Sequence, residues 1–263
     1  MASTPTRAVL YLDADILVYN SLACTEQELD WGDSVWTITT DHNQAYDSFH
    51  QRLSDLVRCC KVAGGYKEVV PVFCYSDTSG DTPNWRKAIL PSYKSNRAKT
   101  RKPMGYPVFQ RRLVEEQGAK AFSTPGWEGD DVIGTMVTAP NPKGVVRIVW
   151  SADKDLKQIP GLHLNTKDGT EVGLVTVTPE EGERFHMLQS LTGDPTDGYK
   201  GCPGMGPAKA SKGLPAGSYE AMWPWVVECY ENAGLSEKDA LTQAQVARIR
   251  QSIDNNQPWR PIR

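Results

Sequence analysis

The sequence contains no Cys-x-x-Cys pair and only four histidines. Its six cysteines, at positions 24, 59, 60, 74, 202 and 229, have no paired histidines nearby. That spacing argues against a zinc site and against a disulfide framework, and it fits a reducing, cytoplasmic setting. No apolar run approaches the roughly 20 residues a membrane-spanning helix needs, so no membrane partner is expected. Met1 to Arg7 lacks the apolar core of an export signal. Internal repeats, low-complexity stretches and an obvious flexible linker are missing too. With 39% hydrophobic and 23% charged residues in 263, the composition is that of a globular enzyme, expected here as a monomer.

Acid is missing where it would matter most. Between Thr82 and Val114 there are nine cationic side chains and no acidic one: Arg86, Lys87, Lys94, Arg97, Lys99, Arg101, Lys102, Arg111 and Arg112. Taking those nine positive charges from a net charge of −3 leaves −12 for the rest of the chain. A basic segment on an otherwise acidic protein is what local phosphate contact requires. Trp85, Tyr93, Tyr106 and Phe109 are interleaved with the cations, a pattern suited to nucleic acid.

The apolar runs predict an alternating β/α chain around a mostly parallel sheet. Ala8–Asp13, Glu68–Asp77 and Val145–Asp153 read as buried strands, each ending in an acid, with Pro71 weakening the start of the second. Ala119–Phe122 reads as a short strand. Helical spacing of Phe49, Leu53, Leu56, Val57 and Cys60 predicts a core-facing helix over 45–62. Thr178–Leu191 reads as a helix, Gly193–Ala210 as a Gly-rich hairpin, and Tyr219–Ile253 as two amphipathic helices. The chain divides near residue 180, into a core over 1–180 and a smaller helical module over 181–263.

Ligand sites of such sheets lie at the carboxyl ends of the strands. Asp13, Asp77 and Asp153 all reach that edge. Glu128-Gly-Asp130-Asp131 opens a further helix, where three acids in four residues exceed what capping requires. Asp155, Asp194 and Asp197 complete the set. Oxygen ligands without histidine or cysteine favour Mg²⁺ or Mn²⁺. So many carboxylates suggest two ions, which about 4 Å apart can drive phosphodiester hydrolysis. No EF-hand spacing supports calcium storage instead. Gly201, Gly204 and Gly206 allow tight turns before a helix near Pro207, and with Lys209 they could grip a backbone phosphate. Lys94 and Arg97, one helical turn apart, could hold the scissile phosphate while Tyr93 stacks on a base.

Leu12-Asp13, Tyr75-Ser-Asp77, Trp85-Arg86-Lys87, Tyr93-Lys94-Ser-Asn-Arg97, Glu128-Gly-Asp-Asp131, Ser151-Ala-Asp-Lys-Asp155 and Gly193 to Gly206 occur in one order over about residues 8–212. Together they resemble the 5′-nuclease family: flap endonucleases, the 5′ nuclease domain of bacterial DNA polymerase I, and phage 5′→3′ exonucleases. Asn84 to Lys87 and Lys102-Pro-x-Gly-Tyr106 are most similar to the exonucleases of short-tailed, podovirus-type phages. The resemblance implies a PIN-like sheet, a helical arch over 82–114 and a helix-three-turn-helix (helix-hairpin-helix-like) module. It puts two Mg²⁺ on the nine acids Asp13, Asp77, Glu128, Asp130, Asp131, Asp153, Asp155, Asp194 and Asp197. Lys94, Arg97, Asp130 and Asp153 become the catalytic residues. Arg86, Lys87, Tyr93, Lys94, Arg97, Lys99, Arg101, Lys102, Gly204, Gly206 and Lys209 become the DNA contacts. It further implies K⁺ in the 201–206 hairpin, duplex DNA with 5′ ends, nicks or flaps as substrate, removal of RNA from RNA–DNA hybrids, and a duty in phage replication and recombination. Asp15 and Met205 depart from the family pattern. The chain after Leu214 offers no motif of the family and carries no functional expectation. A single-strand RNase of PIN type and a non-catalytic DNA-end binder are the alternatives.

Overall fold

A strand buried on both faces organises the sheet. In β1 (Arg7–Asp13) Ala8, Leu10 and Leu12 point to one side, Val9 and Tyr11 to the other, as the two-residue strand period demands. The computed structural model describes residues 6–78, 81–99, 101–166 and 172–261, the side chains of Ala98 and Lys99 excepted. α1 (Ala14–Ala23) follows β1 directly, capped by the Asp13 carboxylate. β2 (Glu26–Asp30) and β3 (Trp36–Thr40) then form a separate antiparallel hairpin. α2 (His42–Gly64) starts at Asp41, whose side chain accepts from the amides of Asn43 and Gln44. It ends at Gly65, in the left-handed conformation (φ 66°) that favours glycine after a helix.

β4 (Glu68–Cys74) lies parallel to β1 along its whole length. Pro71 sits inside it, opposite Leu10, and at that point β4 has one neighbour only. A missing N–H is tolerable there. The segment 82–114, expected as a helical arch, comprises short 3-10 turns at Trp85–Ala88 and Ser95–Lys99 and then the start of α3 (Tyr106–Gln117). β5 (Ala121–Phe122), α4 (Gly129–Thr138), β6 (Val146–Trp150), β7 (Gly161–Asn165) and β8 (Gly173–Val177) follow. The sheet order is β5-β4-β1-β6-β7-β8, parallel except for the β7–β8 pair.

One sheet face carries a core with α1, α2 and α3, built on Leu10, Leu12, Phe49, Phe73, Phe109 and Ile148. Each such fully buried side chain contributes roughly 1.5–3 kcal/mol of transfer free energy. The other face packs on α4 through Tyr11, Val132, Ile133 and Val149, and Ile249 from near the chain's end joins them. A third cluster unites α5 (Pro179–Thr192), α6 (Pro207–Gly213), α7 (Tyr219–Asn232) and α8 (Glu237–Ala247) with Trp259. The two helices expected over 219–253 therefore end at Ala247. From Arg248 the chain runs extended back across α4. Gly134 permits this, because a Cβ there would stand 2.3 Å from the Arg250 carbonyl oxygen. Among the described residues no helix is long and apolar enough to cross a membrane.

Candidate active site

Five chain segments bring acids together near the carboxyl edge of the parallel strands. Asp13 ends β1. Asp77 lies three residues beyond β4; its amide donates to the Trp127 carbonyl and its carbonyl accepts from Gly126, which sets it beside the turn into α4. Asp153 lies three beyond β6 and caps the 3-10 turn Lys154–Gln158 by accepting from the Asp155 amide. Ser151 joins two of these acids: its Oγ donates to Asp13 Oδ2 (2.8 Å) and accepts from the Asp153 amide (2.9 Å).

Glu128 is the N-cap residue of α4, and Asp130 and Asp131 occupy its first turn. One carboxylate oxygen from each of the three lies within 4.8 Å of the others. Gly193 ends α5 with φ 67°, where a Cβ would meet the Lys200 backbone at 2.4 Å. That glycine turn presents Asp194 and Asp197. Lys154 bridges to Asp194 (3.0 Å) and Asp155 (3.5 Å), while Lys94 bridges Glu128 to Asp197, 3.6 Å from the latter. The distant halves of the acid set thus share one polar surface.

The electrostatics are those of crowded anions. Burial, then Asp15, pushes the Asp13 carboxyl up to about 7; Asp153 adds to it. Burial and Asp153 push Asp155 up to about 6. Asp130 is held well above the usual carboxylate range by burial and by Asp131, which outweigh Arg86. Glu128 differs: burial pushes it up, but Lys94 and Arg86 more than offset this and hold it at about 2. Oxygen donors that repel one another at neutral pH fit a hard divalent cation. A consequence can be measured. Asp13 and Asp155 bind protons more tightly in the folded chain than unfolded, so metal-free stability is lost as pH rises through about 6 to 7. The Tm in EDTA is expected to fall between about pH 5 and about pH 8, and added Mg²⁺ to recover it at the upper end. A Tm that rises over that range would contradict the placement of these two acids.

Several expected roles change. Arg86 cannot touch DNA: it is 2% exposed, and its guanidinium grips Asp131 through both carboxylate oxygens (2.7 and 2.8 Å) and Glu128 at 3.0 Å. Tyr93, also 2% exposed, is no stacking platform, since its hydroxyl donates to Glu128 and Asp197, each at 2.9 Å. Asp131 is fully buried, and its oxygens accept from Arg86, Trp85 Nε1 and the Arg250 amide, so it orients its neighbours rather than facing a cation. Asp15 is likewise committed, to the Ser76 amide, Tyr106 and Gln110. Lys94 and Arg97 do not stand one helical turn apart. Lys94 takes a left-handed backbone (φ 55°) just before the 3-10 turn, and both side chains meet at Asp197. Burial lowers the Lys94 ammonium, but the carboxylates of Glu128 and Asp197 raise it more, so it stays charged.

Lys87, Arg97, Arg101, Lys102 and Lys209 are exposed, as are Gly204 and Gly206. Arg101 pairs with Glu26 of β2. The Lys99 side chain lies outside the described residues. Gly201, with φ 67°, packs against the Gly193 backbone, and its amide donates to Gln243. Sequence reasoning gave no role to Ser151 and Lys154, although both stand in a quoted motif, and did not single out Arg250. The signal for Lys154 lay in its place between two motif acids; nothing local marked Arg250.

Comparison with known proteins gives a concordant picture. The family model described as 5′-3′ exonuclease, N-terminal resolvase-like domain, matches residues 34–182. An exodeoxyribonuclease of Enterobacteria phage T3 is 29% identical over 273 residues, covering 92% of this chain and 87% of that protein. An exonuclease of Escherichia phage T7 is 29% identical over 276 residues, covering 92% and 88%. Among solved structures, the T5 D15 protein co-crystallised with metal ions matches with a TM-score of 0.61 at 13% identity, covering 94% of this chain and 91% of that one. A T5 D15 flap endonuclease complexed with DNA and metal ions matches with a TM-score of 0.58 at 13% identity, covering 94% and 90%. At that identity the likeness speaks for the fold alone, a PIN-like sheet flanked by helices.

Proposed function

Since the chain belongs to the family of 5′-3′ exonucleases with an N-terminal resolvase-like domain, we propose that it removes nucleotides from the 5′ ends of duplex DNA with the help of two divalent cations. The observation that carries this reading is the convergence of acids from five segments beside two cations, Lys94 and Arg97. Asp13, Asp77, Glu128, Asp130, Asp153, Asp155, Asp194 and Asp197 would hold two Mg²⁺, with Mn²⁺ able to replace them. Ions of this kind supply activation of water and stabilisation of the departing oxygen. The chain itself supplies orientation and positive charge. Lys94 and Arg97, on a turn tied to Asp197 by the Lys94 amide (2.8 Å), present cations to a phosphate lying over the acids. Exposed Lys87, Lys102 and Lys209 would hold flanking phosphates without reading sequence.

The same reading extends to nicked and flapped duplexes and to RNA–DNA hybrids as substrates. It makes the helix-three-turn-helix segment after residue 180 a duplex-gripping module, with K⁺ held by carbonyls of the 201–206 hairpin and no role given to the helices after Leu214. Support for the module is its own hydrophobic cluster, separate from the two sheet cores.

Digestion of a duplex labelled differently at its 5′ and 3′ ends, in Mg²⁺ and in EDTA, tests the reading. Early release of short 5′-labelled products in Mg²⁺ alone is expected; binding without cleavage would leave an end-binding protein. Lys94→Ala is expected to lower the single-turnover rate by about 10²–10³-fold, as for loss of one charge-stabilising donor, while Kd for duplex DNA changes far less. Equal losses in rate and affinity would reduce Lys94 to a contact.

A further inference from the structure

We propose that residues Val246–Arg250, remote in sequence from every acid of the site, are a positioning element of the metal centre: they fix Arg86 and Asp131 so that Glu128 and Asp130 face the cations. This rests on the nuclease reading above.

Arg86 has five N–H donors in a rigid fork, and all five are used. Three go to acids: two to Asp131 and one to Glu128. The remaining two go to the tail, Nε to the Val246 carbonyl (3.0 Å) and Nη2 to the Arg248 carbonyl (2.7 Å). The plane of the guanidinium is therefore set by two carbonyls on the tail and three contacts to α4 and its cap. The tail also reaches Asp131 directly, since the Arg250 amide donates to its Oδ1 at 3.0 Å.

The tail can act as a reference because it is itself pinned. Gln158, 1% exposed, donates to the Ala247 carbonyl (2.7 Å) and accepts from the Ile249 amide (3.0 Å). Ile249 is buried in the core under α4. The Arg250 guanidinium lies between two indoles, 4.1 Å from the Trp85 ring centre and 4.8 Å from that of Trp127. Its Nε and Nη1 are buried without a hydrogen-bond partner, so stacking rather than hydrogen bonding holds it there. Trp85 adjoins Arg86 and Trp127 adjoins Glu128. Arg250 thus clamps together the two chain segments that orient the acids. Groups one shell out from a metal orient its ligands, and their loss weakens metal affinity by about 10–100-fold.

The test measures metal binding without turnover. Mn²⁺ is titrated calorimetrically into the wild-type chain, Arg250→Leu and Arg86→Lys, with Phe49→Leu as a control in the core on the opposite sheet face. Arg86→Lys keeps the charge and loses the fork; should it fail to fold, Arg250→Leu carries the test. A rise in Mn²⁺ Kd of about tenfold or more is expected for both tail-network variants, with a parallel rise in the Mg²⁺ needed for half-maximal cleavage. Phe49→Leu is expected to lower Tm and leave Mn²⁺ Kd unchanged. Unchanged Mn²⁺ Kd in the folded tail-network variants, or an equal rise in Phe49→Leu, overturns the proposal. A wild type that never cuts duplex DNA overturns the nuclease reading alone, and the Mn²⁺ shift then still supports positioning.

Discussion

Asp153→Ala is expected to cut the single-turnover rate of 5′-end cleavage by about 10³-fold or more, as when one member of a set acting as a unit is removed. Duplex DNA binding is expected to hold or tighten, because the cations that meet phosphate are untouched and one repelling charge is gone. The choice of Asp153 follows from its surroundings. It is exposed, and its one structural duty is to cap the short turn that begins at Lys154. Losing a cap costs about 1 kcal/mol, too little to unfold the chain. Its electrostatic reach is wider, since its charge raises the carboxyls of both Asp13 and Asp155. An active, folded Asp153→Ala enzyme would remove the strand-end acids from the chemistry and leave the five-segment cluster without a catalytic purpose.

Arg86→Met is expected to have the largest effect on stability. Removing one partner of a buried ion pair costs about 3–5 kcal/mol, because the other charge remains in a medium that cannot solvate it. Asp131 would retain only neutral donors, Trp85 Nε1 and the Arg250 and Glu128 amides. The carbonyls of Val246 and Arg248 would lose the Arg86 bond as well. For a chain of this size the Tm should drop by roughly 10 °C in a calorimetric scan. Adding Asp131→Leu to Arg86→Met should restore part of the loss, since the Asp131 carboxylate is then no longer stranded. A single mutant melting within about 2 °C of wild type would mean that water reaches the pair and that it is not the closed contact described.

Strands β1, β4, β5 and β6 and the acids were legible in the sequence because both signals are local, whereas β7 and β8 were not foreseen. Val9, Tyr11, Leu10 and Leu12 declare a doubly buried strand by their alternation and continuity. Asp13, Asp77 and Asp153 declare an edge by lying at or just past strand ends. What the sequence concealed was set by distant partners. Arg86 and Tyr93 stand in a basic, aromatic segment that reads as exposed. Their burial depends on Asp131, Glu128 and the Val246 and Arg248 carbonyls, all distant in sequence from the basic segment. The same limit applies to Asp15, whose partners are Ser76, Tyr106 and Gln110. The hairpin of β2 and β3 escaped notice for another reason. Glu26–Asp30 carries three acids and little apolar surface, and its pairing answers to the turn rather than to a buried face.

The bonds from Arg86 to Val246 and Arg248 span 160 and 162 residues, which gives them a meaning in time as well as in space. A ribosome adds residues at about 5–20 per second, so Arg86 waits roughly ten to thirty seconds for its carbonyl partners. During that interval the acids of α4 can be present while their orienting clamp is incomplete. On the positioning proposed above, the site stays slack until residues 246–250 have been made, and cleavage should switch on with the arrival of a short piece of backbone that bears no acid of the site.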